Sequence, residues 1–161
     1  MTREHRVTVA TTVDAPADVV WDLACATDRY EEWIESTLEV IRADGAASLD
    51  ATWEERSRIC GFWKATILWR VTAFDPPRRL CFEGGGVTAV SGLGFEIEVD
   101  PLGDKTDFTL TLWYTPRFGL LGSVIEFCTH GNVDAEQHRS VKTFAILAER
   151  EFHEGPHRDP S

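Results

Sequence analysis

Val7, Val9 and Val13 recur with polar residues between them along HRVTVATTV (5–13), a pattern that predicts a half-buried strand. The spacing then changes. In DAPADVVWDLACATD (14–28), Val19, Val20 and Leu23 fall on one helical face, Asp14 is placed to cap it, and Pro16 suits the first turn. RYEEWIE (29–35) predicts a second short helical turn that carries Trp33 inward. A strand is expected over 38–42, with DGAASLD (44–50) as the turn after it. Residues 51–59 and 62–74 read as a hairpin around Cys60 and Gly61, DPPR (75–78) as a turn, and RLCFE (79–83) as a short strand. GGGVTAVSG (84–92) reads as either a loop or an irregular strand. Two cleanly alternating strands, 93–99 and 107–114, flank DPLGDK. TPRFGLLG (115–122) leads into one long helix ending near Phe152, and a polar tail over 153–161 is expected to be disordered.

Tight turns between consecutive strands favour an antiparallel sheet over βαβ units. The expectation is a single α+β domain over 1–152: one strand, two short helices, five or six more strands and a terminal helix. Alternation assigns the faces. Ile67, Trp69 and Val71 share one face of their strand, as do Leu80 with Phe82, Phe95 with Ile97, and Phe108, Leu110, Leu112 and Tyr114. On residues 51–59, Trp53, Glu55, Ser57 and Ile59 lie together. If Trp53 points inward, so does Glu55, unless a bulge intervenes.

The long helix interrupts its own pattern. Apolar faces on 118–128 and 141–148 are separated by HGNVDAEQHR (130–139), where Glu126, His130, Asp134 and His138 form a polar row at four-residue steps. Extending the apolar face backwards from Val141 at about 3.6 residues per turn lands near Asp134, His130 and Phe127. One reading is a helix that faces a cavity, whose wall needs a few polar groups. The other is a helix break, in which Gly131 and Asn132 end one helix, Asp134 caps the next, and both histidines are solvated. His130, Asp134 and His138 rarely reach one ion from a single straight helix, so no metal site is assigned.

Composition narrows the function. The chain has 161 residues and a formal charge of −11, which argues against nucleic acid and anionic membrane surfaces. No apolar run approaches the roughly 18 residues of a bilayer span. The N-terminus enters a strand with no signal-peptide core, so a cytoplasmic location is expected. Four scattered cysteines, without a CxxC pair, read as reduced and mostly buried. Six tryptophans and nine phenylalanines are enough to fill a core and also to line a pocket.

The stretch VDAPADVVWDLACATDRYEEWIE, with Ala15, Pro16, Val19, Val20, Trp21, Tyr30 and Trp33, resembles the opening of the START-like (SRPBCC) proteins, the polyketide cyclase/dehydrase and lipid-transport superfamily. WRVTAFDPPRRLCFEG is similar to that superfamily's hairpin, and RSVKTFAILAERE to its closing helix. The resemblance spans essentially the whole chain. It implies a helix-grip fold, a curved antiparallel sheet wrapped around the C-terminal helix with an apolar cavity between them. It also implies a hydrophobic small-molecule ligand, carried or chemically transformed. No subfamily's catalytic motif is matched, so no catalytic residue carries over.

The candidate acid–base groups are therefore drawn from the residues themselves. His130 has a side chain suited to proton transfer near neutral pH, Glu55 a carboxyl whose pKa would rise if buried, and Tyr114 a hydroxyl that can orient a carbonyl. Trp33, Trp53, Ile67, Trp69, Phe82, Phe95, Leu112, Phe127 and Asp134 are the candidate ligand contacts, Trp113 posing the same question of core against pocket. Three functions follow: a cyclase/dehydratase, a carrier using the same cavity without chemistry, or an interaction module with an acidic surface. No cofactor is expected, the Gly84–Gly86 run lacking the features of a phosphate loop. The expected partner is a hydrophobic small molecule, with no nucleic acid, no stable membrane insertion, and a monomer or homodimer as the assembly.

Overall fold

The computed structural model describes residues 3–59, 63–88, 90–117 and 119–155, with the side chains of 119–131 excepted. The elements run β1 (His5–Val13), α1 (Ala17–Cys25), a 3₁₀ segment (Thr27–Glu32), β2 (Thr37–Ala43), β3 (Thr52–Ile59), β4 (Trp63–Asp75), β5 (Arg79–Gly85), β6 (Val90–Leu102), β7 (Lys105–Pro116) and α2 (Gly119–Glu154). The strands form one antiparallel sheet in the order β1-β7-β6-β5-β4-β3-β2, with β1 and β2 at opposite edges. Only β1 and β2 are displaced from simple up-and-down succession, because α1 and the 3₁₀ segment carry the chain from one edge to the other. The sheet is curved and unclosed, and α2 packs across it against β1, β7 and α1. This is the α+β helix-grip architecture.

Period-two burial is clearest on β7, where Phe108, Leu110, Leu112 and Tyr114 all face inward. The outward residue Trp113 lies across Gly94, its partner on β6, and a Cβ there would come within 2.3 Å of the indole. A glycine opposite a tryptophan thus lets the ring cover the neighbouring strand. On β4 a register shift between Val71 and Ala73 moves the inward position from Ala73 to Phe74, which packs on Trp21 of α1. The irregularities next to β3 fall on β2, between Thr37 and Glu39 and between Val40 and Arg42. The alternation of β3 against β4 is therefore unbroken.

Several expectations need correction. Asp14 does not cap α1: Pro16 occupies the cap position in an extended conformation and no side-chain cap bond forms. Proline holds the residue before it away from helical geometry, so the helix cannot reach back to Asp14. The Asp14 N–H instead donates to Glu149 Oε1 at 3.0 Å. The long helix is continuous through 130–139, so the break at Gly131–Asn132 is overturned. The helical cost of one glycine, roughly 1 kcal/mol, is small beside the packing of a 36-residue helix against the sheet. The helix also runs two residues past the expected end, to Glu154, and stops where Gly155 takes a left-handed φ of 70°. Cys25 and Cys81 are free thiols, while Cys60 and the side chain of Cys128 lie outside what the structure describes.

Tyr30 and Trp33 tie the layers together. The Tyr30 hydroxyl donates to the Ala24 carbonyl at 2.7 Å, closing the end of α1, and its ring stacks on Phe82. Trp33 sits edge-on to Phe144 of α2, which stacks on Phe108 at a centroid distance of 3.9 Å. Phe144→Ala is expected to cost about 3–5 kcal/mol, measured as a reduced midpoint in urea denaturation with an unchanged slope. A loss below about 1 kcal/mol would show that α2 is held elsewhere.

Candidate functional site

Between the concave face of the sheet and α2 lies a cavity of about 120 Å³. Its inner wall is aromatic and aliphatic: Ile67 and Trp69 from β4, Phe95 from β6, Leu112 and Tyr114 from β7. All five are buried. Toward solvent the lining passes to Ile59, Trp63 and Val87, with Arg58 and Trp63 exposed at the rim. From α2 come Val133, Glu136 and Gln137. A dry apolar cavity of roughly 150 Å³ takes a benzene ring, so this space is of single-ring size.

Glu55 is the buried acid of this cavity, with 3% exposure. Uninterrupted alternation on β3 turns it inward together with Trp53 and Ser57. Its carboxylate accepts three hydrogen bonds: from Ser57 Oγ at 2.7 Å and Thr37 Oγ1 at 3.3 Å on Oε1, and from Trp53 Nε1 at 3.3 Å on Oε2. Burial pushes its pKa above the ordinary 4.5, and the surrounding donors only partly offset this. The Trp69 indole N–H also lies close enough to favour the charged carboxylate, but it makes no hydrogen bond of proper geometry. Three of about four acceptor positions on Glu55 are thus occupied from within the protein.

On the helix side the polar groups differ from those expected. Asp134 and His138 face solvent, with side chains 62% exposed, and lie 3.7 Å apart as an i,i+4 pair. Asp134 is not on the cavity lining. The inward stripe instead runs from half-buried Val133 through buried Gln137, Val141, Phe144 and Ala148. Stepping back from Val141 by four residues at a time reaches Gln137 and Val133; stepping to Asp134 chose the wrong neighbour at the second turn. Gln137 is 2% exposed, and its Oε1 has no donor among the described residues. Leaving such an acceptor buried and unpaired costs roughly 1–3 kcal/mol. Half-buried Glu136 also has a raised pKa, from burial first and Glu35 second.

Of the remaining candidates, Trp53 and Phe82 sit one layer behind the lining, where Trp53 stacks on Trp69 and Phe82 packs against Trp53, Trp69 and Phe95. They position the wall and are not part of it. Trp33 belongs to the Phe108–Phe144 layer, farther from the cavity. The side chains of His130 and Phe127 lie outside the described residues. Gly84, opposite Trp69, clears space for the indole: a Cβ there would meet the Trp69 ring and Ile67 at 2.8 Å. Two contacts clamp α2 over the site. Ser140 Oγ accepts the Glu35 N–H at 2.9 Å, and Arg139 pairs with the Glu35 carboxylate at 2.5 Å.

Residues 4–148 match the model of the polyketide cyclase / dehydrase and lipid transport family. The chain belongs to this family. No curated protein matches it in sequence. Among solved structures, the Zhui aromatase/cyclase from Streptomyces sp. R1128 superposes with a TM-score of 0.78 at 19% identity, covering 92% of this chain and 96% of that one. Norcoclaurine synthase from Thalictrum flavum gives 0.69 at 12% identity, covering 91% and 94%. A START superfamily protein from Mycobacterium smegmatis gives 0.64 at 15% identity, covering 93% and 98%. At these identities the likeness is one of fold. Among the described residues no helix is long and apolar enough to cross a membrane.

The raised pKa of Glu55 makes stability depend on pH. The fold favours the protonated carboxyl, so its contribution is fully present below the ordinary value of 4.5 and is lost as pH rises through the elevated folded value. Glu55→Gln removes that titration. Urea denaturation from about pH 4 to about pH 8 is expected to show the variant gaining on the parent as pH rises. A difference that stays flat would mean that the carboxyl is not perturbed.

Proposed function

We propose that this family member binds a hydrophobic, aromatic or polyketide-like small molecule in the cavity under α2, and that Glu55 serves there as the acid–base group of a cyclisation and dehydration. One observation carries the reading: a buried carboxyl with an elevated pKa set into an otherwise aromatic and aliphatic wall. A carboxyl whose pKa burial raises above the ordinary carboxylate range is a stronger base when ionised, and it can return the proton it takes. In the proposed reaction, Glu55 accepts a proton from the carbon between two carbonyls of a bound chain. The enolate attacks another carbonyl of that chain, forming a carbon–carbon bond, and the resulting alkoxide takes the proton back from Glu55. Glu55, ionised again, then removes the adjacent C–H proton and returns it to the hydroxyl, which departs as water and leaves the ring unsaturated. Tyr114, on β7 and also part of the lining, is assigned to orient a carbonyl. His130 is the second proton-transfer candidate, on the strength of its residue type and its place in the polar stretch of α2. The family description and the fold shared with the Zhui aromatase/cyclase support this direction.

A second reading is a carrier without chemistry. It is favoured by the three protein donors already bonded to the Glu55 carboxylate, which leave little of it for a substrate.

Tryptophan fluorescence distinguishes these readings, because Trp69 and Trp63 lie on the lining. Aromatic ligands are expected to perturb the emission of the parent protein and of Glu55→Gln alike. With a short poly-β-ketone thioester as substrate, Glu55→Gln is expected to lower kcat by roughly 10²–10⁴. Parental turnover in the variant would sink the catalytic assignment, and a protein that binds without turning anything over is a carrier. Fluorescence that responds to no ligand would remove the cavity as a binding site.

A further inference from the structure

The buried amide of Gln137 presents an acceptor oxygen with no donor among the described residues, on the α2 side of the cavity lining. Nothing in its sequence neighbourhood marks it: it lies between exposed or half-exposed Glu136 and His138 on a charged stretch. Its burial is nevertheless nearly complete, at 2% exposure, and a native interior rarely leaves such an oxygen unmatched. On the same lining the Glu55 carboxylate holds three donors and has room for about one more. The buried Trp69 indole N–H makes no hydrogen bond of proper geometry among the described residues, and the Tyr114 hydroxyl can also donate. Glu136 adds a third acceptor, half-buried on the same helix. Among the described residues the cationic side chain on the lining is Arg58, and it is exposed at the rim. The lining therefore carries, among the described residues, the acceptors Gln137, Glu55 and Glu136 beside the Trp69 and Tyr114 donors, and no buried cation to meet an anion.

We infer that Gln137 is a specificity residue that accepts a hydrogen bond from a ligand hydroxyl, so that the cavity selects neutral, single-ring phenols or enols over carboxylates and over arenes that lack a donor. This rests on the cavity being the ligand site, as proposed above. It adds a sign to the polar recognition at Gln137, where the ligand donates and the protein accepts. A carboxylate would bring an uncompensated negative charge beside Glu55 and Glu136. An ether of the same shape would leave the Gln137 oxygen unpaired. A phenol satisfies it and fits a space of about 120 Å³.

The test uses the full chain and four probes, phenol, anisole, benzene and benzoate, with affinities taken from tryptophan fluorescence and calorimetry near neutral pH. Phenol is expected to bind roughly 3- to 10-fold tighter than anisole or benzene, the range of one neutral hydrogen bond. Benzoate is expected to bind at least about tenfold more weakly than phenol. Gln137→Met is expected to erase the preference for phenol while keeping benzene affinity, and the retained benzene binding shows that the cavity has survived. Gln137→Glu, which keeps an acceptor, is expected to retain phenol binding.

Equal binding of phenol, anisole and benzene by the parent protein overturns the inference but leaves the hydrophobic-ligand reading intact. Anisole or benzoate outbinding phenol also overturns it, since the amide would then be presenting its N–H to the ligand. If no probe binds, both the inference and the cavity reading fall. Should Gln137→Met not fold, the four-probe comparison on the parent protein still decides.

Discussion

The stacking of Phe144 on Phe108, with Trp33 edge-on to both, is the contact on which the rest of the molecule depends. A curved sheet has a concave face that must be covered, and one helix cannot fill it evenly along its length. Where Phe144, Val141 and Ala148 meet the sheet, the space is closed by side chains. Toward Val133 the helix offers smaller and more polar groups, and a cavity opens. The aromatic layer fixes the closed end, so it sets both the height of the helix over the sheet and the position of the cavity. The clamp from Glu35 to Ser140 and Arg139 fixes the same helix from the side, one turn from Gln137.

Burying Glu55 and Gln137 costs stability, and that cost is informative. A carboxyl surrounded by Trp53, Trp69 and Ser57 would be replaced by an apolar residue if packing alone mattered. Its three donors lower the penalty without removing it. The same donors hold the carboxyl in one orientation, which suits a group that has to meet a ligand. Stability and function make opposite demands on these two side chains, and the surrounding aromatic layers absorb the difference.

Most of the inner wall was legible as alternation. Glu55, Ile67, Trp69, Phe95, Leu112 and Tyr114 were all placed inward from strand periodicity, because a pleated strand has only two faces. For Glu55 the placement depends on Trp53 pointing inward with no bulge between them, and that condition is met because the irregularities around β3 fall on its partner β2. Helical phase was harder to read. An error of one residue rotates a position by about 100°, so Asp134 was assigned the place that Val133 occupies. Gln137 carried no signal of its own, since a glutamine in a charged stretch reads as surface. The depth of a residue within the wall was also illegible. Trp53 and Phe82 face inward like Trp69, but they lie behind it, because neighbouring strands of a curved sheet bring their inward side chains into layers.

The sequence by itself determined the strands, their inward faces, the two-layer class and the motifs that mark the family, because each follows from local periodicity and from turn chemistry at proline and glycine. Tertiary structure alone decided that the helix runs unbroken past Gly131, which of its faces meets the cavity, and which aromatic residues touch open space. Those outcomes depend on how far apart the sheet and α2 are held. That distance is set by Trp33, Phe108 and Phe144, three residues widely separated in the chain, and no local pattern in any one segment records it.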